Sequence, residues 1–326
     1  MVSVRSLESS ESPGRYPSAV QPPQHARDER TGLLFAVGAA ILYGAAYPAT
    51  AVALGSFTPL GIAGLACTMA LPVVIILGAI GWLPRPLVRG LDRPRLARLA
   101  VLSGLGGGGF IAAVNLAILL SGPTITGFVS PLYAVAAAVL AVPLLGERIR
   151  PVTIASFGLA LLGTALLAGG APDVASFAGV SMALLAAVMF GLYIVLARRW
   201  GRPYQLDGTL ITIANLIGRG PVLLAVEFLR APGTLLPAQI DPWAVVAVVT
   251  IAFGSSSSAN LLLMASVRRV AARRTSAALL LTPISSAILA ALILDERLGP
   301  VQLVGAGLIL GGIAGASGLL GAVRRP

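Results

Sequence analysis

The residue best suited to bind a charged ligand is Arg219, which lies in the mainly apolar sequence Ala-Asn-Leu-Ile-Gly-Arg-Gly-Pro. Asn215 precedes it by one helical turn, so the two polar side chains share a helix face. If this stretch crosses a bilayer, a cation at its centre costs about 2.5–3.5 kcal/mol on insertion scales. Its partner is then a substrate carboxylate or phosphate, or Glu227 in a structural ion pair. Snorkelling of the arginine to the membrane surface is a third reading.

Two runs of four small residues, 106–109 (all Gly) and 255–258 (all Ser), lie 149 positions apart. Small residues let a ligand or another backbone approach closely, and serine hydroxyls can bond to a polar substrate. Tight helix packing explains small residues equally well. We therefore keep both readings for the candidate pathway residues in the runs, which are Gly106, Gly107, Ser255 and Ser256.

Other polar side chains in apolar stretches are few. Polar groups in lipid are costly unless they face the bundle interior, where they line a cavity or bond between helices. Both readings apply to each member of this set, which comprises Tyr43, Tyr47, Asn115, Tyr133, Tyr193 and Asn260.

The elements that must position these residues are hydrophobic helices. Of 326 residues, 57% are hydrophobic and only 11% are charged, whereas soluble domains are about 25% charged. A membrane helix needs about 20 apolar residues, which predicts an all-α integral membrane protein. The predicted spans are 32–54, 58–81, 97–119, 122–144, 151–169, 177–197, 208–229, 242–264, 275–294 and 299–321. Residues 1–31, which are polar and rich in Pro and Ser, are expected to form a disordered cytosolic tail.

The distribution of arginine predicts the orientation of the chain. All 23 cationic residues are Arg, and 20 lie before, between or after the spans on one side, against two on the other. Cationic loops stay in the cytosol during insertion. We therefore expect both termini to be cytosolic, in the cytoplasmic membrane. Because the cations are spread between spans and not gathered on one folded surface, we expect no nucleic-acid partner.

The chain contains an internal repeat with an offset of 149 residues. Between 147–170 and 296–319 ten positions are identical, including Glu147/Glu296, Pro151/Pro300 and Gly163/Gly312. Each half, 32–170 and 177–321, has five spans, so the second half enters the membrane in the opposite sense. Inverted repeats are the architecture of many secondary transporters, in which interrupted helices at matching places form the substrate site. A duplicated static scaffold would leave the same repeat.

These motifs resemble the ten-helix EamA-like families of the drug/metabolite transporter superfamily. The resemblance rests on Gly-Glu-Arg at 146–148 with Pro151, its partner Asp-Glu-Arg at 295–297 with Pro300, and Thr282-Pro283. It covers the chain after the tail. It implies a ten-helix bundle with a central cavity between the halves, working as a small-molecule exporter or exchanger. Because Pro131 lies further from its Glu than Pro283 does, we expect the break in the fourth helix about a turn away from that in the ninth.

The acidic residues indicate what is transported. Glu147 and Glu296 each end a span, where a carboxylate in a Glu-Arg sequence is expected to form a local ion pair; a functional role is the alternative. No Asp, Glu or His lies at mid-membrane depth. Proton-coupled antiport of small cations usually needs such a group, so a neutral, zwitterionic or anionic metabolite fits better.

We therefore predict a secondary transporter, an exporter or exchanger of a small polar metabolite that is amino-acid-like, zwitterionic or anionic, working by alternating access. Multidrug efflux and a non-transporting scaffold or channel are the alternatives. Residues for catalysis, metal binding or a phosphate-binding loop are not found, so we expect neither enzyme activity nor a cofactor. The expected partners are the small-molecule substrate and the lipid bilayer, and a homodimer is left open.

Overall fold

The computed structural model describes residues 23–80, 92–147, 151–169, 174–201, 203–204, 206, 208–235, 239, 241–267, 269–270 and 272–316. Eight helices in these ranges are long and apolar enough to cross a membrane, and one of them, Arg93–Leu145, has 53 residues. That helix turns at Gly122, whose φ of 82° and ψ of 165° are outside the helical region, so it supplies two spans. The shorter helix Pro300–Ala316 completes the ten predicted spans.

We number the spans α1 to α10. Their bounds are α1 Pro23–Ala53, α2 Pro59–Ala79, α3 93–121, α4 122–145, α5 Pro151–Gly169, α6 Val174–Gly201, α7 Gly208–Arg219 with Pro221–Arg230, α8 Pro242–Val267, α9 Ala272–Leu279 with Leu281–Leu294, and α10 Pro300–Ala316.

Helix α1 begins earlier than the sequence predicted. It starts at Pro23, nine residues before the predicted span, so residues 23–31 are helical where a disordered tail was expected. Proline is favoured in the first turn of a helix because its missing N–H needs no partner there. Arg274 also pairs with Glu29, which ties this polar extension to the start of α9. Residues 1–22 of the expected tail lie outside the described residues.

In the described part of the chain, five spans are interrupted: α7 is broken at Gly220, and α3, α4, α8 and α9 are interrupted at places that match between the two halves. Helix α3 contains a π-helical segment at Ser103–Gly109, and α8 contains one at Ile251–Ala259. The two segments overlap when the offset of 149 is applied. Helix α4 is broken by the 3₁₀ turn Ser130–Leu132, and α9 is broken between Leu279 and Leu281. With the offset, Pro131 falls opposite Leu280, so the two breaks coincide and the expected displacement by one turn was wrong.

The halves pack through matching pairs of helices. Helix α1 packs on α8 and α9, whereas α6 packs on α3 and α4. Helices α5 and α10 cross each other closely. A Cβ added at Gly163 would lie 2.6 Å from the carbonyl oxygen of Gly305, and one added at Gly312 would lie 2.8 Å from that of Ser156. Such close approach requires small residues at both positions.

The two ends of the bundle differ in charge. At one end, Arg198 pairs with Glu147 at 2.7 Å, and Arg98 lies over the ring of Tyr204 at 3.5 Å. We call this the arginine-rich end, because most of the arginines in the described residues belong to the helix ends that meet there. At the opposite end, the N–H of Asp241 donates to Ser56 at 3.1 Å. We call this the opposite end.

Candidate functional site

Two adjoining cavities lie between the halves, with volumes of about 340 and 180 Å³. Both are lined by Phe190, Arg219, Ser256 and Asn260, so they meet at these residues. The larger one also reaches Thr50 near the end of α1. The smaller one extends along α2, α7 and α8 to Val73 and Met264. Together they cross the middle of the bundle.

Nine of the eleven predicted pathway residues line these cavities. The larger cavity is lined by Tyr43, Tyr47, Asn115, Tyr133, Arg219, Ser255, Ser256 and Asn260, and the smaller one adds Tyr193. The structure therefore brings most of the predicted set to one place.

Gly106 and Gly107 do not line either cavity. A Cβ on Gly106 would lie 2.4 Å from Cγ of Tyr193, and a Cβ on Gly107 would lie 3.0 Å from the carbonyl oxygen of Asn215. These glycines pack α3 against α6 and α7, which was the alternative reading of the run. Gly106 still contributes to the site through its main-chain carbonyl.

The π segments make main-chain carbonyl oxygens available to side chains of the site. In a regular α-helix these oxygens would accept hydrogen bonds from main-chain N–H groups. The N–H of Phe110, which in an α-helix would donate to Gly106, bonds instead to Leu105 and Gly107. The Gly106 oxygen accepts a hydrogen bond of 2.6 Å from Nη2 of Arg219. In α8, Nδ2 of Asn260 donates to the carbonyl oxygens of Ser256 and Ser255 at 3.0 and 3.3 Å. Interruptions of this kind are frequently found at functional sites.

Among the described residues that line the cavities, Arg219 is the only charged one. It ends the first segment of α7, where Gly220 leaves the helical conformation before Pro221. Its Nε is buried and has no hydrogen-bond partner among the described residues. Glu227, the structural partner considered from the sequence, is fully buried but lies 3.5 Å from Nε of Arg230 and accepts a hydrogen bond from Thr234. The alternative of an Arg219–Glu227 ion pair was therefore wrong.

Asn215 and the tyrosines form the polar surroundings of Arg219. Nδ2 of Asn215 donates to the hydroxyl of Tyr193 at 3.1 Å, while its Oδ1 is buried without a partner. The hydroxyl of Tyr43 donates to Oδ1 of Asn260 at 2.8 Å, which joins the two halves across the larger cavity. Asn115 donates to the carbonyl oxygen of Pro59 at 2.9 Å, so its amide group joins α3 to α2.

An aromatic cluster forms one wall of the site. Its central residue, Phe190, was not among the site residues predicted from the sequence. The ring of Phe190 lies 4.5 Å from Phe110, 4.8 Å from Tyr133 and 5.2 Å from Tyr193, measured between centroids. The repeat offered a signal, since Phe190-Gly191 falls in a stretch similar to Ile41-Leu42-Tyr43-Gly44. Phe110 follows its glycine run directly and carried no comparable signal.

The acidic ends of α4 and α9 have longer-range partners than the expected neighbouring arginines. Glu147 pairs with Arg198 of α6. Arg297 pairs with Asp295 at 3.1 Å. Glu296 instead accepts hydrogen bonds from the N–H of Thr124 at 3.3 Å and from its hydroxyl at 2.8 Å. The expectation of a local Glu-Arg pair was wrong at Glu296, because the turn after Gly122 presents an N–H to its carboxylate. At Glu147 the neighbouring Arg148 lies outside the described residues.

Comparison with known proteins shows what this arrangement is similar to. A crystal structure of another protein matches with a TM-score of 0.60 and 22% sequence identity, covering 91% of this chain and 100% of that one, which shows a shared fold. No curated protein matches the sequence. The EamA-like transporter family matches twice, over residues 30–169 and 177–318. With ten spans in two repeats around a shared cavity, this chain belongs to the EamA-like transporter family.

Proposed function

We propose that the protein exports or exchanges a small metabolite that bears a carboxylate group, amino-acid-like and either zwitterionic or anionic, by alternating access. Family membership makes it a membrane transporter, and the substrate class rests on the cavity. The observation that carries the proposal is the guanidinium group of Arg219. The described residues that line its cavity include no acidic side chain, and the group is held by a main-chain carbonyl, not a carboxylate.

Size and polarity support the same class. The larger cavity, at about 340 Å³, is at the small end of the range for ligand pockets. Arg219 supplies donors for a carboxylate, which planar guanidinium groups bind in two-point fashion. Buried Oδ1 of Asn215, one turn away, is an unused acceptor for an ammonium or hydroxyl group. Apolar side chains such as Ile62, Val114 and Ile118 line much of the remaining wall.

The distribution of arginine supports a cytoplasmic-membrane location with both termini in the cytosol, so that the arginine-rich end faces inward. Under this orientation, the smaller cavity extends toward the cytosol, and a cytosolic metabolite reaches Arg219 from that side. Alternating access then requires the opposite end to open while the arginine-rich end closes.

Counterflow in proteoliposomes tests the proposal. Labelled amino acids and hydroxy acids are offered outside, with unlabelled compound inside, and each is compared with its uncharged amide or ester. We expect internal carboxylate to stimulate uptake of labelled carboxylate, while the amide and ester have little effect. Stimulation only by organic cations would favour multidrug efflux, and uptake without counterflow would favour a channel. Either result would overturn the proposal.

A further inference from the structure

Among the described residues, the shortest hydrogen bond between the halves at the opposite end is made by Glu296. Oε2 of its carboxylate accepts hydrogen bonds from the N–H of Thr124 at 3.3 Å and from the Thr124 hydroxyl at 2.8 Å. Its other oxygen, Oε1, lies 2.7 Å from where a Cβ on Gly122 would be. Gly122 has a φ of 82°, which a glycine adopts without strain. Glycine therefore provides both the turn and the space for the carboxylate.

Through this contact, a side chain of the second half caps a helix of the first half. Thr124 lies in the first turn of the helix that follows Gly122, where N–H groups lack intrahelical partners. A carboxylate is stabilised there by the free N–H groups and by the helix dipole. Glu296 follows the last residue of α9, Leu294, by two positions. It therefore fastens the end of α9 to the beginning of α4.

Helices α4 and α9 pack closely against each other beside this contact. A Cβ on Gly127 of α4 would lie 2.6 Å from the hydroxyl oxygen of Ser286 on α9, and that hydroxyl donates to the carbonyl oxygen of Pro123 at 3.5 Å. Ser286 is fully buried. Helix α1 also packs on the segment Phe110–Val129 at this end. These contacts hold α4 against α9 at the opposite end.

The equivalent contacts are not made at the arginine-rich end. Among the described residues, Tyr133–Leu145 of α4 has at most marginal contact with Ala272–Leu279 of α9. Helix α6 likewise has at most marginal contact with Ala272–Leu279. Glu147, the repeat equivalent of Glu296, is bound to Arg198 and is 47% exposed. Applying the offset of 149, the N-terminus of α9 at Ala272 corresponds to Pro123. Glu147 does not cap it in this structure.

We propose that Glu296 and Glu147 are paired closing residues of the transport pathway, each capping the broken helix of the other half in one of two states. Glu296 holds the opposite end shut by capping α4 at Thr124. When the halves exchange conformations, that cap is released and Glu147 leaves Arg198 to cap α9 at Ala272. This inference rests on the proposed function, because it assigns the two ends to two states of alternating access.

The native thiol Cys67 reports which end is open. It is the only cysteine in the sequence and lines the larger cavity, where it is 3% exposed. Purified protein in vesicles of known orientation is treated with a membrane-impermeant maleimide from either side. In the wild type we expect labelling mainly from the arginine-rich end. Glu296→Gln and Thr124→Val should each raise the labelling rate from the opposite end about tenfold, the size expected for loss of a hydrogen bond to a charged group.

Glu147→Gln is the matched control, since it changes the equivalent residue at the other end. It should not raise labelling from the opposite end, and the double variant Glu296→Gln/Thr124→Val should exceed neither single variant by much. A rise from both ends would mean a loosened fold, and an unchanged ratio would mean that the cap does not close the pathway. Both results overturn the inference. A cysteine-free Cys67→Ala variant gives the background.

The same samples separate this inference from the proposed function. If no carboxylate shows counterflow but the labelling ratio shifts, the substrate class is wrong and the closing role stands. If counterflow is normal and the ratio does not shift in either variant, the closing role is wrong and the substrate class stands. Thermal unfolding of each variant checks that it is folded.

Discussion

Arg219 on α7 donates from Nη2 to the main-chain carbonyl oxygen of Gly106 on α3, at 2.6 Å, in the region where α3 is π-helical. A carbonyl orients a guanidinium group but does not neutralise it. The positive charge therefore remains available to a ligand, while the position of the side chain is fixed from the protein side. An ion pair with a carboxylate would have fixed the position and cancelled the charge.

Arg219→Gln should abolish most transport of a carboxylate-bearing substrate. Truncating one partner of a buried, hydrogen-bonded charge pair costs about 2–5 kcal/mol, so apparent affinity should fall roughly a hundredfold. Arg219→Lys should recover part of the activity, because the charge survives but the planar two-point contact does not. Concentration-dependent counterflow measures both, and size-exclusion profiles check folding.

Glu227 provides the control for Arg219. Since Glu227 interacts with Arg230 and Thr234, the double variant Arg219→Gln/Glu227→Gln should not regain what Arg219→Gln loses. Restoration of transport by the second change would show that the two residues neutralise each other, and the anion-binding role would be excluded.

The two small-residue runs should respond differently to a bulky side chain. Ser256 lines both cavities, so Ser256→Leu should block transport and leave the melting temperature nearly unchanged. Gly107 lies against the backbone of Asn215, so Gly107→Leu should instead lower the yield of folded protein by separating α3 from α7. Normal transport by Ser256→Leu would remove the serine run from the pathway. Transport assays and melting curves on both variants check this.

Gly163 should be intolerant of even a methyl group. An added Cβ would lie 2.6 Å from the carbonyl oxygen of Gly305 and 2.8 Å from the nitrogen of Ile309. Overpacking of this kind costs about 1–3 kcal/mol, so Gly163→Ala should lower the melting temperature. Gly158 lies on the same helix with nothing within 4 Å of the added Cβ, so Gly158→Ala is the control and should be neutral or stabilising. Equal effects would contradict close packing of α5 on α10.

The orientation of the chain can be checked with single cysteines in a Cys67→Ala background. A cysteine at Gly146 should react from the cytosol, and one at Asp295 should react from outside. The reason is that the two positions end α4 and α9, which cross the membrane in opposite directions. Labelling in intact cells with an impermeant reagent, before and after lysis, distinguishes the sides. Reaction of both from the same side would exclude the inverted arrangement.

Several features of the fold could be predicted from the sequence because they depend on local composition. Apolar length located the ten spans, and α5 begins and ends where predicted, at Pro151 and Gly169. The repeat located the interruptions in α3 and α8, since runs of Gly or Ser at matching positions weaken regular helix. The interruptions are related by the same offset of 149 residues as the sequence repeat, because the two halves have the same fold.

Which residues of the interrupted helices face the cavity, and which pack on neighbouring helices, could not be predicted from the sequence. A π turn holds about one residue more than an α turn, which rotates the following residues by about 100° around the helix axis. Both helices carry such a segment at equivalent positions, so the rotation does not distinguish the two runs. Ser255 and Ser256 line the larger cavity, while Gly106 and Gly107 pack on Tyr193 and Asn215. The Glu296–Thr124 contact was missed for another reason. Its partners are 172 residues apart, and their meeting depends on how the two halves assemble.

The crossing of α5 and α10 has an evolutionary consequence. Gly163 meets Gly305 and Ser156 meets Gly312, so each helix offers the other nearly the same surface. A single five-helix ancestor with that surface could pair with a second copy of itself, provided the copies inserted in opposite directions. Gene fusion would then fix the pairing and allow the two copies to diverge, as they differ now in the Gly run of one half and the Ser run of the other. On this view, the two halves expressed as separate chains should still find each other in the membrane.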